Sequence, residues 1–433
     1  MKSRSGRNQA SKVDVVDVVD VVHEVLPNDT LLENVFDRNG NEVRLVVAEP
    51  GKDPYFEDEY RLNGICYRPR LDANIQSGRV STPSAIVKSP DVTVLLDQTK
   101  DLIHKCVDLD KDFEVVVAHY VLASQVYDRF SRFGYMRLQG SYGTGKSRFL
   151  ELMSKVCFRG VQLGVASSNA VLYRTLRLYP GTLCLDEADY DQLSVSSDLL
   201  KILNSGYQSS GSVWRCADGH RGYVPEAYPT FCPKVIASRR NYRDKSLESR
   251  ILSQRSRMAQ RIVPNSLSSS DLAKEIEDLR NALFSYRLHN WHVISDDVHV
   301  RGLEGLDMRT TEILKPLAIA AGANALPGEI IEYVKRLGRM RKPQRGERLR
   351  RITLQTISRY AEAGEEPLVS EVAEEVNKHL DPQERVSSRK MGSYLDELWI
   401  ERCETNRGRR LILDREQVNA IVKEYTYSPM QSS

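Results

Sequence analysis

The octapeptide Gly140-Ser141-Tyr142-Gly143-Thr144-Gly145-Lys146-Ser147 follows the spacing G-x-x-x-x-G-K-[ST], between an apolar run from Tyr135 to Leu138 and a helical run beginning at Arg148. A strand that passes through such glycines into a helix lets successive backbone N–H groups curl around a β-phosphate. Lys146 then supplies charge to the β- and γ-oxygens, and the Ser147 hydroxyl is placed for Mg²⁺. The loop implies ATP and Mg²⁺ as cofactors, with all eight residues in the binding segment.

Further on, Thr182-Leu183-Cys184-Leu185 reads as a buried strand running into Asp186-Glu187. An acid at the end of a strand lying beside the loop's strand can hold the water shell of Mg²⁺, and a second acid can polarise the attacking water. Asp186 is expected at the metal and Glu187 in catalysis, together with Lys146. The letters Asp-Glu-Ala-Asp at 186–189 also mark a class of RNA helicases. Those require a second nucleotide-binding-like domain and further motifs that this sequence does not display.

At 433 residues and 41% hydrophobic content the chain has room for two to four ordinary domains. A net charge of +3 confines any nucleic-acid contact to local basic patches. The cysteines, at 66, 106, 157, 184, 216, 232 and 403, show no C-x-x-C spacing and read as reduced thiols in a cytoplasmic protein. Asp14, Asp17 and Asp20 interrupt the Val-rich N-terminal stretch and deny it a signal-peptide core. The apolar run Val115 to Val126 is too short to span a bilayer, so no membrane role is expected.

Residues 1–27, with Val-Asp-Val repeated, are low complexity and read as a disordered arm, the alternative being a short oligomerising segment. Residues 28–112 read as a small β-rich domain, with turns at Asn39-Gly40, Pro50-Gly51 and Asn63-Gly64. Residues 113–265 alternate strand and helix, the pattern of an α/β fold with a parallel sheet covered on both faces. Its strands are expected at 135–139, 161–165, 182–185 and 233–238, with a fifth ending near Ile262-Val263. Residues 266–334 form a helical lid, with Leu272, Ile276, Leu279 and Leu283 on one face of a helix over 271–288. Residues 335–351 form a basic linker, rich in Lys and Arg with Glu347 the one acid. In 352–433, three helices, a hairpin and a last helix suggest a winged helix-turn-helix.

The phosphate loop, the acid pair, the lid and this tail together resemble the AAA+ ATPases of phages, plasmids and chromosomal islands, relatives of the minichromosome maintenance helicases. The resemblance covers roughly residues 113–322. It implies that Arg250, in Leu247-Glu248-Ser249-Arg250-Ile251, is an arginine finger reaching the γ-phosphate on a neighbouring subunit. Arg309, in Arg309-Thr310-Thr311-Glu312, resembles the sensor 2 arginine of those relatives. Ser238 falls where they keep the polar sensor 1 residue, usually Asn, so Arg239 and Asn241 share that candidacy.

Residues 212–223 occupy the place of the pre-sensor 1 hairpin, with Asp218-Gly219 as the expected turn and Arg215, His220 and Arg221 as grips on nucleic-acid phosphates. In the tail, Met391, Leu395 and Leu398 make an apolar stripe that leaves Arg389 and Lys390 for DNA. Arg402, Arg407, Arg409 and Arg410 surround Gly408 on the wing. These features point to an ATP-hydrolysing DNA motor, a ring-forming helicase or replication-initiation ATPase of a mobile element. DNA, sister subunits in a hexameric ring and replication proteins are its expected partners. The alternative is an ATP-switched DNA-binding regulator or helicase loader without unwinding activity.

Overall fold

The computed structural model describes residues 17–164, 169–186, 198–219, 222–242, 244–304, 306–323, 325–341, 344–382, 385–398 and 400–426. The chain divides into two compact units, one ending at Val334 and one beginning at Lys335.

The first unit starts with β1 (Asp17–Val21), β2 (His23–Val25), β3 (Leu31–Asp37), β4 (Glu42–Ala48), β5 (Tyr55–Glu57), β6 (Tyr60–Leu62) and β7 (Ile65–Pro69). β2-β3-β4-β5 form one antiparallel sheet, and β1-β7-β6 form a second in which β1 and β7 are parallel. Asn63 and Gly64 both adopt positive φ, 53° and 80°, as the two-residue connection from β6 to β7 requires. Residues 17–25 are not a disordered arm, because Val21, Val22 and Leu26 are buried and their strands are paired. The stretch expected to be β-rich as far as 112 also holds α1 (Ala73–Gln76) and a long helix, α2 (Val92–Cys106), whose N-cap Asp91 accepts from the Thr93 N–H at 2.8 Å.

After α3 (Lys111–Ser124) come β8 (Tyr135–Gln139), α4 (Lys146–Val156), β9 (Val161–Leu163), α5 (Asn169–Leu178), β10 (Leu183–Leu185), α6 (Asp198–Ser205), β11 (Ser212–Gly219), β12 (Gly222–Pro229), β13 (Lys234–Ser238), α7 (Lys245–Glu248) and β14 (Ile251–Arg255). Five strands form one parallel sheet in the order β14-β8-β13-β10-β9. Every residue of β8, β10 and β13 is buried, as strands covered on both faces must be. The mixed α/β fold is thus compatible with a phosphate-loop core. The fifth strand is Ile251–Arg255, not a strand ending near 262–263; Ile262 is almost wholly exposed. The acid's strand β10 is not beside the loop's strand β8 either, because β13 lies between them.

The first unit continues with α8 (Ser270–Asn290), α9 (Met308–Ala320) and the start of α10 (Gly328–Arg341). α8 packs on α2 and α4 and is tied to the segment after β7: the Ser84 N–H donates to Asn281 Oδ1 at 2.9 Å and the Val87 N–H to Ser285 Oγ at 2.9 Å.

The second unit contains α11 (Gln344–Ala363), α12 (Val369–Lys378), α13 (Ser388–Glu397), the antiparallel pair β15 (Arg402–Thr405) and β16 (Gly408–Leu411), and α14 (Arg415–Thr426). Its core joins Ile357, Val372, Val376, Met391, Leu395, Leu398, Leu411 and Val418. The expected basic linker is helical over most of its length, since α10 runs to Arg341 and α11 starts at Gln344. Among the described residues no helix is long and apolar enough to cross a membrane.

Candidate functional site

Because the strands are parallel, β8, β10, β13 and β14 deliver their C-terminal ends to one edge of the sheet. That edge gathers the loop 140–147, Asp186, Ser238 and Ser256. Gly143 and Gly145 have φ of 73° and 82°, which non-glycine residues rarely adopt, and Gly145 caps α4. A Cβ on Gly140 would lie 2.6 Å from Thr144 Oγ1 and 3.0 Å from the Ser256 carbonyl, so the loop's first position also excludes a side chain. The loop is braced from inside by Thr144 Oγ1 donating to the Ser141 carbonyl at 2.8 Å. It is braced from β14 by the Ser256 hydroxyl, which donates to the Thr144 carbonyl.

Lys146 Nζ donates to the Ser141 carbonyl at 2.5 Å, folded back across the space the loop encircles. Ser147 is exposed in the first turn of α4, and Asp186 follows β10, its N–H donating to the Leu163 carbonyl at 3.2 Å. The donor set fits Mg·ATP: glycine-shaped backbone at a helix N-terminus for phosphate, one ammonium, one hydroxyl and one carboxylate. Among the described residues no group of three His, Cys, Asp or Glu could hold a metal ion. Glu187 lies outside the described residues.

Ser238 is 1% exposed, and its hydroxyl donates to the Arg240 carbonyl at 3.1 Å, so it is engaged locally at the end of β13. The next residue was not singled out for what it does here: the Arg239 guanidinium lies 4.1 Å from the ring centre of Tyr142 and hydrogen-bonds its hydroxyl. A cavity of about 390 Å³ opens between the ends of β8, β13 and β14, lined by Gln139, Gly140, Arg239, Arg240, Asn241, Arg255 and Ser256. Three arginines and no carboxylate in that lining make it attractive to phosphate oxygens.

Arg250 and Arg309 stand together, and both stand away from the loop. Arg250 precedes β14, and its carbonyl accepts from the Tyr135 N–H at the start of β8, so it marks the N-terminal edge of the sheet. The five residues of β8 put about 16 Å between that edge and the loop. Arg250 Nη1 donates to the carbonyl and Oδ1 of Asn204, at 2.9 and 2.7 Å, and its guanidinium faces Tyr207 at 5.2 Å. Arg309 faces the same ring at 4.9 Å and donates to Glu312 at 2.9 Å. The segment carrying Arg250 is anchored by buried Arg137, which holds Glu248 through two hydrogen bonds of 2.5 and 2.8 Å. No tertiary signal of this kind was readable from sequence spacing.

In the β11–β12 hairpin, Asp218 pairs with Tyr223 and Gly219 with Gly222, so Asp218-Gly219 lies in the ladder and is not the turn expected from the sequence. His220 and Arg221 themselves lie outside the described residues. Arg215 leans on Tyr173 of α5 at 5.5 Å, while Trp214, on the other face of the hairpin, is exposed. The hairpin's base is tied to β13 by Lys234, fully buried, whose ammonium donates to the carbonyls of Gly206, Thr230 and Cys232. Burial lowers the Lys234 pKa from its ordinary value.

In the second unit Arg389, Lys390, Arg407, Arg409 and Arg410 are all exposed, and Met391, Leu395 and Leu398 are buried. Arg402, expected among the wing cations, instead pairs with Asp396 and is largely covered. Arg409 lies 3.5 Å from Glu404 across the hairpin.

No family model matches the chain, and no curated protein matches it. Among solved structures it is similar to the A form apo structure of the NrS-1 C terminal region, at 14% identity and a TM-score of 0.30, over 59% of this chain and 66% of that one. The apo structure of the NrS-1 C terminal region (305–718) matches at 12% identity and 0.33, over 91% and 87%. The X-ray structure of JCV Helicase matches at 16% identity and 0.26, over 53% and 66%. The chain therefore spans about two thirds of the first and last of these. Likeness this distant carries no argument about activity, and the functional reading rests on the site.

Proposed function

We propose that the chain is an ATP-hydrolysing DNA motor, a ring-forming helicase or replication-initiation ATPase. The observation that carries this reading is the two-edged sheet: a phosphate loop with Asp186 at one edge, and Arg250 with Arg309 at the other. Arginines about 16 Å from their own loop cannot touch their own nucleotide, yet the same edge can meet the loop edge of another copy. ATP would be held by the backbone of 140–147 and by Lys146, with Ser147 and Asp186 on Mg²⁺. Bound there, Mg²⁺ would neutralise charge on the β- and γ-oxygens. Glu187 would take the proton of the attacking water, and Ser238, Arg239 or Asn241 would orient that water. Arg250 and Arg309 of a neighbour would stabilise charge spreading over the transferred phosphoryl group.

DNA would be gripped by Arg215, His220 and Arg221 on the β11–β12 hairpin. The second unit, read as a winged helix-turn-helix, would add Arg389 and Lys390 on α13 and Arg407, Arg409 and Arg410 on β15–β16. The test is ATP turnover together with strand displacement on forked DNA, with Lys146→Ala as the inactive control. Wild-type displacement that Lys146→Ala abolishes is the expected result. ATP-dependent duplex binding with no displacement would instead favour the regulator or loader, and undiminished turnover in Lys146→Ala would remove the nucleotide site itself.

A further inference from the structure

The ring of Tyr207 is fully buried just after α6, and its carbonyl accepts from the Phe133 N–H at 3.1 Å, which pins it beside the start of β8. Arg250 and Arg309 lie against this one ring, at 5.2 and 4.9 Å. The Tyr207 hydroxyl donates to Glu312 Oε2 at 2.8 Å, the same oxygen that accepts from Arg309 at 2.9 Å. The other Glu312 oxygen accepts from Arg132 at 2.5 Å. On the opposite side Asn204 receives Arg250 and is itself oriented by Asp244, to which its amide donates at 2.8 Å.

Two guanidinium groups side by side repel each other and, being long side chains, sample many rotamers. An aromatic face attracts both, so one buried ring can hold two cations in a common orientation at small cost. Resting on the motor reading above, we infer that Tyr207 is the positioning residue that sets Arg250 and Arg309 as a single two-cation grip for the terminal phosphate bound by a second copy of this chain. Asn204 and Glu312 fix the outer sides of the grip. The Glu312 carboxylate holds Arg309 as a phosphate would, keeping it extended until a phosphate competes for it. Tyr207 touches no nucleotide in this scheme, and its effect is transmitted through the arginines.

The experiment is steady-state ATP turnover of the full chain carrying Tyr207→Leu, alone and in mixtures. A misplaced transition-state group costs about 100-fold in rate, so kcat should fall by about that factor while KM for ATP stays near wild type. Mixed with Lys146→Ala, the Tyr207→Leu chain should recover turnover, because one copy then brings an intact loop and the other an intact grip. Mixed with Arg250→Ala it should not, since both copies lack the same edge. Normal kcat in Tyr207→Leu, or recovery with Arg250→Ala, overturns the inference. If Tyr207→Leu does not fold, Tyr207→Phe is read instead. It keeps the ring and loses the bond to Glu312, so kcat should fall several-fold in the wild type and not at all in an Arg309→Ala background. An equal fall in both backgrounds overturns the inference. Failure of the motor reading is separate, because it appears in the wild type as duplex binding without strand displacement, or as undiminished turnover in Lys146→Ala alone.

Discussion

Replacing Glu33 by Gln removes one charge from a fully buried ionic group of the first unit while keeping the side chain's shape. Glu33, on β3, is 0% exposed. Its carboxylate accepts from Arg287 of α8 at 2.7 Å and from Arg159 after α4, with His23 of β2 at 3.0 Å. Arg287 also holds Asp128 through bonds of 2.9 and 2.8 Å, and both arginines face Phe158. The small N-terminal sheet, the parallel-sheet core and α8 are joined through this one carboxylate. Glu33→Gln takes from buried Arg159 the carboxylate it pairs with, leaving it the carbonyls of Val22 and Pro180, and leaves Arg287 with Asp128; breaking a buried pair in this way costs about 4 kcal/mol. For a unit running from Met1 to Val334, melting entropy turns that into a fall in Tm of about 6 °C. Differential scanning calorimetry at neutral pH measures it, and a fall below about 2 °C would refute the argument that this carboxylate holds the three parts together. The pH dependence has a definite sign. Burial by itself would raise the Glu33 pKa, but Arg159 and Arg287 outweigh it and hold the carboxyl well below the usual range; Arg287 does the same for Asp128. A depressed carboxyl contributes its stability in full above its unfolded value, near pH ~4, and loses it as pH falls toward the folded value. Wild-type Tm should therefore drop steeply below about pH 4, and Glu33→Gln should show a shallower acid limb.

Glu187→Gln should retain ATP binding and lose turnover by orders of magnitude, as equilibrium binding of a labelled nucleotide beside steady-state hydrolysis would reveal; full activity removes Glu187 from catalysis. Arg250→Ala should be inactive by itself and regain part of its turnover when mixed with Lys146→Ala, whereas normal hydrolysis by an Arg250→Ala monomer contradicts action between subunits. Replacing Arg407, Arg409 and Arg410 together by Ala should weaken duplex binding for all sequences and flatten its salt dependence, with ATP hydrolysis in the absence of DNA unchanged. Titration of labelled duplex over a salt series reads this out, and unchanged affinity would make the second unit a protein-binding module.

Local chemistry was legible without the fold. Gly143 and Gly145 marked a phosphate-binding loop before a helix, Asn63-Gly64 marked a turn, and the helical period of Leu272, Ile276, Leu279 and Leu283 marked α8. Such features depend on neighbours within a few residues, and the chain carries that information along its length. The fifth strand was misplaced because the run Ile251–Arg255 ends in polar residues, and it is strand pairing with β8 that makes it a strand. The insertion of β13 between β8 and β10 left no local mark either, since strand order is set by how crossovers pack. Tertiary structure alone decided which charges meet. Glu33 finds Arg159 and Arg287 across 126 and 254 residues of chain, and Tyr207 gathers Arg250 and Arg309 onto one ring. Spacing could propose each arginine singly, but their shared edge follows from five parallel strands all pointing the same way.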